Sequence, residues 1–467
     1  MGLMEYVTPE PLQRALARLS RQELLERLQA VRTLSAARGL RYLDDRSRPK
    51  TIDLALAPWL LTPVQVAFFR GVARTLSEAI RMLPRLYVQH RAVRDILQLD
   101  PEQESWIALA SHPRSRPLAV IGRLDSTATF SHARWRQEFQ MLEPNTVGVG
   151  GVHYAPTACS IVLDVLGDVL GRAFPGRTIV PTPDPRGLLQ EELTQVAARL
   201  GRGLRRLALI ENTDYTTGTD EFESLARFFL RQGLTTVVAD PRDVRIRRGR
   251  LTAKGLDIDL FYRDCELSEF LEIEEAGHRL HGMRQAVRQG RLVSGLTWEF
   301  DQKSAWELFT DPRWSELFTP AQRRFFRAHL PWTRLVRDAD TTDPRGRRTE
   351  LLPYIRWHKD TLVLKPNTLY GGQGVTVGHT VSRQVWERTL AKALRRGGER
   401  HVVQELARIG SHRFPMLEGG RPRVVERRVV SGFFFNSSGV GLVGRFSEDP
   451  VVNVSRGGGL LAALVVK

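Results

Sequence analysis

A chain of 467 residues exceeds one ordinary hydrophobic core, so roughly two to four domains are expected. The formal charge of +17 comes from 69 basic and 52 acidic residues, but only seven of the basic residues are lysines and the arginines run along the whole chain, which argues against a nucleic-acid-binding stripe. Two cysteines, Cys159 and Cys265, at neither CxxC nor Cys/His spacing, exclude a disulfide framework and a zinc site and imply a reducing, cytoplasmic setting.

Residues 1–115 read as a helical region. Apolar positions recur at three- and four-residue spacing in PLQRALARLSRQELLERLQAVRTL and again in TPVQVAFFRGVARTLSEAIRML, the pattern of helices packing on a core, and no chemistry is visible there. The apolar stretch from Leu54 to Phe69 is broken by Pro58 and Pro63 and is shorter than the roughly 20 residues that span a bilayer, so no membrane span is expected. The opening MGLMEYVTPE lacks a positive region before an apolar core, so no secretory signal is expected either.

From residue 117 the texture changes. PLAVIGRLDS is a short apolar strand entering polar residues, and FQMLEPNTVGVGGVHYAP is another that breaks into glycines, within a unit at 116–204. Residues 205–265 read as an α/β unit: strand RRLALIENT, helix DEFESLARFFLRQG, strand TTVVADP, and a third strand in GLDIDLFYRD after the RRGRLTAKG turn. ENTDYTTG follows the first strand where a dinucleotide site would have GxGxxG, so that site is not expected. Residues 268–330 return to helix, and from about 350 strands alternate with one helix, SRQVWERTLAKALRR, and glycine-rich turns.

LVLKPNTLYGGQGV closes a strand on Lys365 and Pro366 and then supplies Gly371, Gly372 and Gly374, where backbone NH groups can approach phosphate oxygens. The lysine precedes the glycines, so GxxxxGK[ST] is not met; a glycine hairpin with an incidental lysine is the plain alternative. HVVQELARI is an apolar strand turning polar at Gln404 and Glu405, where a backbone edge suits an adenine. GFFFNSSGVGLVGRFSEDP is a hairpin delivering Arg445, and NVSRGGGLLAALVV begins with a second glycine loop. No Ser/His/Asp or Cys/His spacing competes, and His153, His379 and His401 have no partner at ligand spacing.

The run KSAWELFTDPRW, PWTR, VLKPNTLYGGQGV, VVQELA, GRFS and NVSRGGG resembles the circularly permuted ATP-grasp proteins, relatives of glutathionylspermidine synthetase and eukaryotic glutathione synthetase, over residues 117–467. The resemblance implies an α+β (α/β) ATP-grasp fold, circularly permuted, with a pre-ATP-grasp-type α/β unit at 205–265 and the nucleotide-binding part at 266–467. It also implies a ligase that uses ATP and magnesium (Mg) to convert a carboxylate to an acylphosphate, joins it to an amine and releases ADP. Its substrates would be a small-molecule or peptide carboxylate and an amine, with a homodimer possible and no nucleic acid or membrane partner.

Residue by residue, the resemblance implies Asp125 of GRLDS with Glu143 and Asn145 of MLEPNT as metal ligands, and Arg123 and Arg445 as catalytic arginines, Arg445 holding a substrate carboxylate. Residues two apart on a strand share a face, so Glu143 and Asn145 can offer oxygens to one cation. Lys303 and Lys365 would contact phosphates. Gly371, Gly372, Gln373, Gly374 and Asn453 would belong to loops covering the nucleotide, as would 457–459, with Gln404 and Glu405 at the adenine. Ser126, Tyr262 and Arg263 would line the substrate side. Two features depart from the family: Asn367, Thr368 and Leu369 stand where relatives carry an acid after LKP, and the interval from Asp125 to Glu143 is long. A phosphotransferase, or an inactive nucleotide-binding scaffold, is the alternative, and a nucleic-acid-binding module, motivated only by the charge, is a remote third.

Overall fold

The computed structural model describes every residue except 1–4, 45, 47, 111–120, 128, 215–217, 220, 297, 298, 301, 370, 396, 453, 455 and 456. The single helical stripe expected near the start is divided. Helices Glu10–Ala17 and Arg21–Ala37 are separated at Ser20, whose hydroxyl accepts from the Glu23 amide while the Glu23 carboxylate accepts from the Ser20 amide. This capping box starts a new helix inside a continuous apolar pattern. The helix Pro63–Ile80 has the same kind of start at Thr62 and Gln65, and buries Phe69, Val72, Ala73, Leu76 and Ile80 along one side.

That side lies on an antiparallel sheet ordered Gly459–Leu461, Val440–Ser447, Arg421–Phe435, Gly122–Thr127, Met141–Asn145, with Ser411–Glu418 pairing the first half of Arg421–Phe435. Phe69 stacks on Phe433 at 4.6 Å between ring centroids, and Leu124, Phe435 and Leu442 join the same core. Alternation sends Arg123, Asp125 and Phe434 to the opposite face. There the helix Tyr154–Ala173 packs; among the described residues it is the one helix long and apolar enough to cross a membrane, but its apolar residues are buried within the main core. The strand Trp59–Leu61 pairs parallel with Ala463–Val466, so the helical region is joined by backbone to the far end of the chain.

The expected α/β unit is a parallel sheet ordered Leu292–Val293, Leu260–Arg263, Arg206–Ile210, Thr235–Ala239. Only the end of the GLDIDLFYRD segment enters it: Arg245–Arg247, Arg250–Ala253 and Leu256–Asp257 make a separate antiparallel ribbon, and Leu292–Val293 is a strand inside the stretch read as helix. A third sheet, antiparallel, is ordered Thr333–Leu335, His401–Glu405, Leu362–Pro366, Thr376–Val377. Helices Leu351–Trp357 and Arg383–Ala393 cover it around the fully buried Trp386; the first of these was missed in the sequence, being seven residues long.

Candidate active site

The register of Gly122–Thr127 against Met141–Asn145 sets Asp125 opposite Glu143 and Arg123 opposite Asn145, so four polar side chains share one face. Arg123 grips Asp125 through Nε at 2.9 Å and Nη2 at 3.3 Å, and its Nη1 donates to the Gly150 carbonyl at 2.6 Å. Arg445, from the neighbouring hairpin, reaches the second Asp125 oxygen at 2.7 Å. Burial alone would raise the Asp125 carboxyl, but the two guanidinium groups outweigh it and hold it below the usual carboxylate range. The crossing is possible because residue 432 is glycine: a Cβ there would sit 2.9 Å from Arg123 Cδ.

Across this face stand the lysines. Lys303 Nζ lies 3.8 Å from Glu143 and donates to the Leu369 carbonyl at 2.6 Å. Lys365 Nζ donates to Gln404 Oε1 at 2.8 Å; burial lowers its pKa, with Glu143 and Asp125 acting to raise it and Lys303 to lower it, so all four charges share one cleft. Asn367, in place of an acid, is a buried brace: its Oδ1 accepts from the Ser304 amide at 2.8 Å and its Nδ2 donates to Gln302 at 3.0 Å, fixing the Lys303 segment beside the Lys365 strand. Glu143 and Asn145 retain hard oxygen donors and fit magnesium completed by phosphates and water. Asp125 has both oxygens on arginines, and among the described residues no three His, Cys, Asp or Glu side chains gather as a metal cluster.

Gly371, Gly372 and Gly374 all take left-handed φ, at 67°, 72° and 66°, which other residues adopt only with strain. Gln373 is exposed in this turn. The second loop is less open than its sequence suggests: Gly459 opens a strand where an added Cβ would lie 2.2 Å from the Phe446 ring, and Asn453 falls outside the described residues.

Several expected site residues are not brought to the cleft with free groups. Gln404 is 2% exposed, with its amide used by Lys365, Thr333 and the Leu142 carbonyl; it ties the two antiparallel sheets together instead of facing an adenine. Glu405 beside it is half-buried; burial raises its pKa, and a hydrogen bond from the Trp332 backbone opposes the rise. Ordinary alternation puts Ser126 on the face opposite Asp125, where its hydroxyl meets the directly paired Ser431 at 2.5 Å. Arg263 is also interior, bonded to the carbonyls of Ser294, Cys265 and Gly295 and to Glu299 at 2.5 Å. Its neighbour Tyr262 points to the other face.

Two acids passed over in the sequence lie on that Tyr262 side. Glu221, 3% exposed, accepts from the Gly151 and His153 amides at 2.5 and 3.2 Å, and burial pushes it up to about 7. Asp264 ends DLFYRD, and burial pushes it up to about 6. The strand-end aspartate was visible; nothing local marked Glu221. A surface depression of about 470 Å³ elsewhere is lined by residues including Glu102, Glu274, Glu275 and Arg284, of which Glu274 and Arg284 pair at 2.6 Å.

An acid-bearing antiparallel sheet facing a lysine-bearing one, with a parallel α/β unit alongside, is the ATP-grasp class of fold. Among solved structures the chain is similar to a glutathione synthetase-like effector from Globodera pallida in apo form, with TM-score 0.62 and 10% identity over 98% of this chain and 99% of that one. A RimK-domain ATP-grasp protein from Sphaerobacter thermophilus matches over 56% of this chain and 90% of that one at 13% identity, but its TM-score of 0.27 carries no weight. No protein-family model and no curated protein matches the sequence.

Proposed function

We propose that the chain is an ATP- and magnesium-dependent ligase that joins a carboxylate to an amine through an acylphosphate and releases ADP. The observation that carries this reading is the convergence of Lys303, Lys365, Glu143 and Asp125 in one cleft between two sheets. Phosphoryl transfer needs positioning and neutralisation of spread negative charge, with no protein nucleophile. Lys303 and Lys365 supply compact positive heads for the terminal phosphates, and Glu143 and Asn145 hold the metal. Magnesium would add charge neutralisation and fix the phosphate orientation. Arg445, whose Nε is buried without a partner, offers a donor to the carboxylate, while Arg123 keeps the Asp125 clamp in place. The glycine turn at 371–374 lies over the lysine strand and shields an acylphosphate from water. The chain order, acid strands first and phosphate lysines last, supports a circularly permuted form of the fold.

The test is to incubate the purified chain with ATP, magnesium and a panel of amino acids, dipeptides and polyamines. ADP and phosphate should form in an amine-dependent way. AMP and pyrophosphate as main products would overturn the reading. A second reading, a nucleotide-binding scaffold without turnover, is favoured by Asn367 at the acid position and by the full engagement of Asp125; ATP binding with no ADP from any pair in the panel would select it.

A further inference from the structure

The amino-terminal helical region shows no chemistry in its own sequence, yet its turn at 95–98, just past the helix Arg91–Arg94, touches the segment that carries Lys303. Three backbone carbonyls of this turn accept from side chains close to the two lysines: Asp95 from Arg400 Nη2 at 3.1 Å, Ile96 from the Ser304 hydroxyl at 3.0 Å, and Gln98 from Gln302 Nε2 at 3.2 Å. Gln302 and Ser304 stand immediately before and after Lys303. The Arg400 carbonyl accepts from the amide of Asn367, two residues beyond Lys365, at 2.7 Å. Apolar packing holds the same approach. Ile96 and Leu97 are buried in the core that contains Phe300, whose ring lies 4.9 Å from that of Tyr87 in the helix Leu83–Gln89.

The polar contacts form a relay whose direction is fixed at each step. The Ser304 amide must meet an oxygen, so Asn367 turns Oδ1 to it and has Nδ2 left for the Gln302 oxygen; Gln302 then has its nitrogen left for the Gln98 carbonyl. The Lys303 amide closes the ring on the Asn367 carbonyl at 3.3 Å. An ionised acid at 367 has no donor for the Gln302 oxygen and breaks the relay, which gives the amide at this position a physical reason. Gln302, Ser304 and Asn367 are all buried. Burying so many polar groups adds little net stability over apolar packing, but a fully satisfied network admits one arrangement. What that arrangement sets is Lys303, whose Nζ stands 3.8 Å from Glu143 across the cleft.

We infer that the turn at 95–98 is a positioning element of the phosphate site: through Gln302, Ser304 and Asn367 it fixes Lys303 relative to Lys365, so that both ammonium groups meet one triphosphate. The inference rests on the ligase reading for its ligand, a nucleoside triphosphate. It gives the helical region a part in binding that ligand without touching it.

The affinity of the full chain for ATP with magnesium is measured by calorimetry in the parent, in Gln302→Leu and Ser304→Ala, and in each of these combined with Lys303→Met. Both single variants remove a link to the turn and leave every charge in place. Each should weaken ATP about tenfold, and Lys303→Met about tenfold or more. The combined variants should match Lys303→Met alone to within about twofold, because the links act through that lysine. A merely structural role makes the losses multiply instead. Losses that multiply, or an unchanged affinity in both single variants, overturn the inference and leave the ligase reading standing. Ser304→Ala, the smaller change, carries the comparison should Gln302→Leu fold poorly. A parent chain that does not bind ATP overturns the reading and the inference together, and is thereby told apart from a failure of the inference alone.

Discussion

Lys365 shows how far one side chain can be argued. It sits partly buried at a strand end with one hydrogen bond, to Gln404, and a second ammonium nearby. Nature seldom buries a lysine beside another unless an anion is to lie between them, and burial here already lowers its pKa. Lys365→Met keeps the stem and removes the charge, so the fold should persist with an unchanged melting temperature while ADP formation falls about 100-fold or more, the scale for losing one charge-stabilising group. Lys365→Arg should recover little, since a planar fork cannot take the place of a point charge against Gln404. Near-normal turnover in the Met variant would return the lysine to an incidental role.

At the scale of elements, the strand Arg421–Phe435 decides whether the arginine clamp can form, because it runs between Asp125 and Arg445 and must be bare where they meet. Gly432→Ala should push Arg123 off Asp125, lower ADP formation at least about tenfold, and destabilise by about 1–3 kcal/mol, the usual cost of overpacking, read from urea unfolding beside the activity. The hairpin that ends this strand is legible in GFFFNSSGVGLVGRFSEDP, whereas the Arg123/Asp125 and Glu143/Asn145 pairs come from the family resemblance, alternation adding only that residues two apart share a face. What local pattern does not contain is register. An extra residue, Leu142, shifts the pairing of Met141–Asn145 between Met141 and Glu143, and the Trp59–Leu61 strand finds its partner some four hundred residues away, information carried by packing alone. The same limit misdirected the reading of DLFYRD. The resemblance puts Arg263 on the substrate side, whereas its strand position sends it to the interior, bonded to backbone carbonyls and Glu299, with Tyr262 on the other face.

Across the whole molecule, acids of opposite character set the pH response. Glu221 and Glu269 are pushed up to about 7 and Asp264 to about 6, burial being the largest cause in each. Around them stand few compensating charges: Arg123 acts on Glu221 and Asp264, Arg263 on Glu269, and the acids Asp264 and Glu272 oppose ionisation of their neighbours. A carboxyl whose folded pKa exceeds its unfolded value stabilises the fold fully below the unfolded pKa, and that stability is lost as pH rises through the folded pKa. Asp125 and Asp311, held low by arginines, do the reverse and lose their contribution as pH falls through their folded values. The raised acids alone would favour mild acid, Glu221 contributing on the order of 2 kcal/mol to a decline between about pH 4.5 and 7. His153, pushed down to about 4 by burial, and His329 and His401, also lowered by burial, act against them by losing stability as pH falls below the ordinary imidazole value. The Glu221 contribution is isolated by its own variant: Glu221→Gln, which keeps the uncharged shape, should shift the melting midpoint upward relative to the parent chain more at about pH 7.5 than at about pH 5. An equal shift of the midpoint by Glu221→Gln at the two pH values would mean that Glu221 is not held protonated, and the burial argument for it would fail.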